Sequence, residues 1–264
     1  MYRGRVLVIA GSDSGGGAGI QADIKAITVN GGYAATAITA LTAQNTQGVF
    51  GVINTPPEFV KKQIELVLSD IGADVIKTGM LSNKGIIEAV AASLNEYKDI
   101  PLVVDPVMVA TSGDSLLNND SVNALKSLLI ARAYLATPNI PEAEILSGVS
   151  IESKEDMIKA AKVIMSIGAK NVLLKGGHGK GEVISDLLLT KNEECWFENP
   201  YINSKNTHGT GCTLASSISC HLAKGNDLQD AVGRAIDYVR KAIECSDGFG
   251  ALKHNWSCDE DLKS

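Results

Sequence analysis

Short apolar runs alternate with amphipathic stretches along nearly the whole chain. Arg5 to Ala10, Ala34 to Thr39, Phe50 to Ile53, Val75 to Lys77, Leu102 to Val104, Tyr134 to Ala136 and Asn171 to Leu174 are short and rich in apolar, small or β-branched residues, which predicts strands. The stretches between them predict helices over Gly19 to Asn30, Pro57 to Leu68, Asn83 to Leu94, Asp120 to Ile130, Pro141 to Leu146 and Lys154 to Ser166. In the second of these, Val60, Ile64, Val67 and Leu68 recur at helical spacing. Val183 to Leu189 and Cys195 to Tyr201 read as an antiparallel hairpin around Lys191-Asn192, and Gly211 to Ala223 and Leu228 to Ser246 as closing helices.

This alternation predicts an α/β fold, a mostly parallel central sheet with helices on both faces. No internal repeat or low-complexity linker interrupts it, so a single domain over residues 1–264 is expected. In such a sheet the ligand lies at the carboxyl ends of the strands, where the polar and glycine-rich segments fall.

Composition narrows the picture. A chain 45% hydrophobic and 20% charged is not disordered. Its net charge of −6 and lack of a basic stripe give no footprint for nucleic acid. The amino-terminal apolar run, Val6 to Gly11, is too short for a signal-peptide core. No run approaches the ~18–20 apolar residues of a membrane helix, so a cytoplasmic protein without membrane contact is expected. The five cysteines are scattered, with no C-x-x-C pair, which argues against zinc or a disulfide framework. The 26 glycines are in surplus over the usual ~7%. Nine of them fall in three segments at the expected site: Gly11, Gly15, Gly16, Gly17 and Gly19; Gly176 and Gly177; Gly209 and Gly211.

Seven segments carry candidate chemistry. Gly11 to Asp23 is a glycine-rich turn between a strand and a helix. Gly17 to Ala22 fits the G-x-G-x-x-A dinucleotide pattern, but no acidic residue stands between Asp23 and Glu58 to hold a ribose. A side-chain-free wall against a small molecule remains, beside the alternative of a plain tight turn. Thr39 to Gln47 is a polar run after a strand, either a solvated loop or a surface for a neutral heteroaromatic ring, with Gln44 offering donor and acceptor together. Asp105-Pro106-Val107 follows a strand, where a carboxylate suits a metal or substrate, or caps a turn. Lys77 to Met80 ends another strand; Met80 is a soft ring contact or a core side chain. Asn139 and Glu142 stand three apart at a helix start, a capping box that is compatible with Mg²⁺ binding by Glu142. Lys175, at a strand end before Gly176-Gly177, can reach a phosphate chain as a point charge; His178 beyond it reads as an exposed loop residue.

Asn206 to Leu214 is the strongest signal. Gly209 and Gly211 let backbone N–H groups converge at a helix N-terminus, a ready site for an anion and for charge developing on a phosphoryl group. Cys212 sits in the first turn, where its thiol pKa is lowered by position and raised by a nearby triphosphate, so no freely reactive thiolate is expected.

Taken in order and spacing, GSDSGGGAGIQAD (11–23), KTGML (77–81), DPVMVATSGD (105–114), TPNIPEA (137–143) and THGTGCT (207–213) resemble the hydroxymethylpyrimidine/phosphomethylpyrimidine kinases of thiamin biosynthesis, within the ribokinase superfamily. The resemblance runs from about residue 5 to residue 256. It implies ATP- and Mg²⁺-dependent phosphorylation of 4-amino-5-hydroxymethyl-2-methylpyrimidine and then of its monophosphate. It implies that Gly11, Asp23, Gln44, Met80 and Val107 line the pyrimidine site. Asp105, Asn139 and Glu142 would serve Mg²⁺ and the phosphates, with Lys175 on the phosphate chain. Gly209, Thr210 and Gly211 would form the anion hole, and Cys212 takes the place of the aspartate base of sugar kinases. The absence of a lid insertion before Gly31 implies a homodimer. The chain departs from the family pattern at Gly248 to His254, where a sequence closer to G-H-G-P-L-N-H is usual, and at Ser14, where proline is frequent. A pyridoxal kinase on the same scaffold and a non-catalytic pyrimidine or nucleotide sensor are the alternatives; Gln44 favours the aminopyrimidine, and the complete set of phosphate-handling segments favours a kinase.

Overall fold

A computed structural model describes residues 4–108, 117–177 and 182–257. In chain order the elements are β1 (Arg5–Asp13), α1 (Gly19–Val29), β2 (Tyr33–Asn45), β3 (Gly48–Asn54), α2 (Pro57–Asp70), β4 (Val75–Thr78), α3 (Lys84–Ser93), β5 (Leu102–Val104), α4 (Asn119–Ala124), β6 (Leu135–Ala136), α5 (Ile140–Ser147), α6 (Lys154–Ile167), β7 (Val172–Leu174), β8 (Val183–Leu189), β9 (Glu194–Pro200), α7 (Thr210–Ala223) and α8 (Leu228–Glu244). The strands form one sheet in the order β3-β2-β1-β4-β5-β6-β7-β8-β9. The ladders from β2 through β1, β4, β5 and β6 to β7 are parallel, and the antiparallel pairs lie at the two edges.

Both faces are covered, and β1 shows why. Leu7 and Ile9 face one apolar layer, together with Ile64 of α2, Ile87 of α3 and Ile164 of α6. Val6, Val8 and Ala10 face the other, with Ile27 of α1, Ile218 of α7 and Val232 of α8. A strand buried on both faces reads as a continuous apolar run, as Val6 to Ala10 does. The mostly parallel sheet with helices on both faces is therefore the architecture expected. Among the described residues no helix is long and apolar enough to cross a membrane.

Two elements differ from expectation. The polar run after Thr39 is not a loop: β2 continues to Asn45, because Ala40 to Asn45 finds its backbone partners on β3, with Leu41 opposite Ile53 and Thr42 opposite Val52. The helix expected over Asp120 to Ile130 is regular only to Ala124, then widens into a π turn over Leu125–Leu129 and tightens at Ile130–Arg132. The wider turn brings Ile130 towards the buried side already held by Leu125 and Leu129.

Candidate active site

A cleft of about 680 Å³ opens at the carboxyl ends of the central strands. One end is walled by Gly11, Met80 and Val107 and by Thr42, Gln44 and Val49 of the β2–β3 hairpin. The extension of β2 is what brings Gln44 to this wall. Its Oε1 lies 3.1 Å from the Thr42 hydroxyl, which also lies 2.9 Å from the carbonyl oxygen of Ser12.

The other end carries charge. Asp105 follows β5, and its Oδ1 accepts from the Thr137 hydroxyl and from Lys175 Nζ, each at 3.2 Å. The capping box at the start of α5 is complete: the Glu142 amide donates to Asn139 Oδ1 and the Asn139 amide to Glu142 Oε2, both at 2.9 Å. Burial pushes the Glu142 carboxyl up to about 7, with Asp105 adding to the rise and Lys175 opposing it. Burial also works against the Lys175 ammonium, but Asp105 and Glu142 outweigh it and its pKa is raised.

Among the described residues no group of three or more His, Cys, Asp or Glu side chains gathers as a metal cage. Asp105 and Glu142 nonetheless fit a hard cation that keeps most of its waters, since a buried carboxyl held at about 7 beside a second carboxylate is relieved by positive charge.

The third part is the N-terminus of α7. Gly209 precedes it with φ of +84°, and among the described residues no side chain caps the first turn. Thr210, Gly211 and Cys212 all face the cleft. The Cys212 thiol is pushed up to about 12, first by burial and then by Asp23 and Asp105, with Lys77 and the Gly19 amide opposing. The absence of a reactive thiolate agrees with expectation, but burial outweighs the lowering expected from the helix position.

Twelve of the thirteen residues singled out line this cleft: Gly11, Gln44, Met80, Asp105, Val107, Asn139, Glu142, Lys175, Gly209, Thr210, Gly211 and Cys212. Asp23 does not. It lies behind the wall, wholly buried, with Oδ1 accepting from Lys77 Nζ at 2.9 Å and from the Ser216 hydroxyl at 2.7 Å. The helical repeat of α1 turns Asp23 towards β4 and α7, so its carboxylate meets a lysine rather than the cleft.

The sequence pattern assigns no role to Lys77, Asp13 or His208. A lysine inside an apolar strand is itself a signal of a buried partner. Asp13 ends β1; burial works against its carboxylate, but His208 and the amides of Ala18 and Gly15 more than offset it and its pKa is lowered. Residues 109–114 of the 105–114 motif, His178 and Cys258 lie outside the described residues.

A family model described as phosphomethylpyrimidine kinase matches residues 13–257. The thiamine biosynthesis bifunctional protein ThiED of Geobacter sulfurreducens is 51% identical over 96% of the chain, which spans about half (52%) of that protein's length. The hydroxymethylpyrimidine/phosphomethylpyrimidine kinase of Bacillus subtilis is 48% identical over 94% of this chain and 92% of its own. Among solved structures, the pyridoxal kinase of Staphylococcus aureus in complex with AMP-PCP and pyridoxal superposes with a TM-score of 0.84 at 34% identity, covering 96% of this chain and 94% of that one.

Proposed function

The chain belongs to the phosphomethylpyrimidine kinase family, and we propose that its cleft transfers the γ-phosphoryl group of ATP to the hydroxymethyl group of 4-amino-5-hydroxymethyl-2-methylpyrimidine, and then to the resulting monophosphate. The observation that carries this reading is a neutral, amide-bearing end and a charged end that meets the N-terminus of α7 within one cleft. Gln44 presents a donor and an acceptor to an aminopyrimidine edge, and Gly11, Met80 and Val107 take the ring faces.

Phosphoryl transfer asks mainly for positioning and for stabilisation of charge spread over the phosphoryl oxygens. Lys175 reaches the phosphate chain, and the Gly211 and Cys212 amides in the first turn of α7 meet the transferring group with the positive end of the helix. Asp105 and Glu142 would hold Mg²⁺, which when bound neutralises charge on the phosphates. With its thiol held protonated, Cys212 acts as a hydrogen-bond partner that orients the substrate hydroxyl rather than as a standing base.

A homodimer belongs to the same reading. Leu41 and Ile53 pair across β2 and β3 and both are exposed, as are Phe50 of β3 and Phe59 of α2, apolar side chains that a partner copy would cover. Light scattering is expected to give twice the chain mass.

Turnover of the pyrimidine, its monophosphate and pyridoxal, followed by ADP release with and without Mg²⁺, tests the function. Pyrimidine turnover is expected to dominate, and Gln44→Ala to raise its KM about tenfold, the loss of a hydrogen-bonded pair worth roughly 1.4 kcal/mol. Faster turnover of pyridoxal would replace this reading with a pyridoxal kinase.

A further inference from the structure

The loop after β1 and the loop before α7 stand far apart in sequence yet share a buried seam. A Cβ on Gly17 would lie 2.4 Å from His208 Cδ2, and one on Gly209 would lie 1.7 Å from the Gly17 carbonyl oxygen. Only glycine allows the two backbones to approach so closely. Asp13, 2% exposed, sits at the centre of the seam. Its Oδ1 accepts from the Gly15 amide at 2.7 Å, and its Oδ2 from the amides of Gly17 at 3.1 Å and Ala18 at 2.8 Å. The fourth donor comes from across the seam: His208 Nε2, 2.9 Å from Oδ2. An ionised carboxylate can only accept, so Nε2 carries the hydrogen.

His208 is braced from behind. Its amide donates to the Gly250 carbonyl at 3.1 Å, and the Gly250 amide donates to Asn206 Oδ1 at 2.8 Å. Asp13 thus shapes the loop beside the ring end of the cleft, while His208 adjoins Gly209 at the phosphate end.

We propose that Asp13 and His208 form a positioning pair that fixes the separation of the ring-binding and phosphate-binding loops, and with it the approach of the substrate hydroxyl to the phosphoryl group. The inference rests on the kinase reading of this cleft. Small displacements of reacting groups cost rate far more than affinity, so the pair's contribution belongs in kcat.

His208→Phe keeps a planar ring and removes the donor; His208→Gln keeps an N–H. Steady-state kinetics are measured below the unfolding temperature of each variant. His208→Phe is expected to lower kcat about tenfold or more while each substrate's KM moves less than about threefold, and His208→Gln to recover most of kcat. Asp13→Asn, which keeps the volume at the seam, is expected to follow His208→Phe and supplies the comparison if that variant does not fold. An unchanged kcat, or a loss lying wholly in KM, overturns the proposal. Hydrogen exchange on the ligand-free protein gives a second reading independent of turnover. The Gly15, Gly17 and Ala18 amides are expected to exchange about tenfold faster in His208→Phe, with α8 unchanged and with parent-like rates in His208→Gln. Unchanged exchange overturns the pair even if the parent phosphorylates no pyrimidine, a result that on its own would sink the kinase reading instead.

Discussion

Lys77 and Lys175 both stand at the carboxyl ends of parallel strands, and each holds an aspartate, yet their surroundings differ. The Lys77–Asp23 pair, 2.9 Å apart, is sealed, with neither side chain exposed. Helix α7 lies directly over it, and Ser216 donates to the same carboxylate oxygen while Asp23 Oδ2 has no partner among the described residues. The Lys175–Asp105 pair, 3.2 Å apart, lies at the cleft wall beside Gly211. There the lysine can exchange its aspartate for a phosphate oxygen, whereas Lys77 has nothing to exchange for. Burial works against the Lys77 ammonium, but Asp23, with Cys212 and Asp105 further off, outweighs it and the pKa is raised. The difference separates a charge pair sealed beneath the cleft from one that lies at its wall.

The sharpest way to break this contrast is to remove one partner from the sealed pair. Asp23→Ala strands a buried ammonium and is expected to cost about 3–5 kcal/mol of stability in urea unfolding. The double change Asp23→Leu with Lys77→Met is expected to recover much of that loss, because replacing a whole buried pair by apolar groups is close to neutral. A single variant within about 1 kcal/mol of the parent would show that water reaches the pair. In the open pair the effect should move from stability to rate. Lys175→Met is expected to lower kcat by about 10²–10³, comparable to losing a preorganised donor to a transition-state oxyanion. Its urea midpoint is expected to fall by less than that of Asp23→Ala; a large loss of stability with intact kcat would make Lys175 a second structural lysine.

The contrast also marks how far the residues alone carry the reading. Alternating apolar runs and amphipathic stretches disclose the sheet and its covering layers, since periodicity reports burial directly. The cleft is legible because glycines cluster where backbone must approach a ligand or open a helix, as at Gly209 and Gly211. Asp23 departs from its expected place for a physical reason: its partner Lys77 is 54 residues away, and whether a charge faces a cleft or a helix is decided by tertiary packing. Asp13 went unread for the same reason, because His208 lies 195 residues further on. The tail of β2 does not read as a strand because Thr and Gln lack the apolar signature of a core strand, although pairing with β3 satisfies its backbone.

The mildest test concerns Glu142, which adjoins the open pair. Its pKa of about 7 lies above the ordinary glutamate value of 4.5, chiefly through burial. The folded protein therefore binds this proton more tightly than the unfolded chain does. Stability from this group is fully present below pH ~4.5 and is lost as pH rises through ~7, up to about 3 kcal/mol for so large a shift. Thermal unfolding of the metal-free protein between pH 5 and pH 8 is expected to show a fall that Glu142→Gln flattens. Mg²⁺ favours the ionised carboxylate, so it is expected to raise Tm more at pH 8 than at pH 6, and to lose that pH dependence in Glu142→Gln. Parallel profiles for parent and variant would place Glu142 in ready contact with water and remove the reason for pairing it with Asp105 on a cation. A profile that flattens while the Mg²⁺ response stays intact would leave Glu142 as the cap of α5 alone and put the cation on other oxygens.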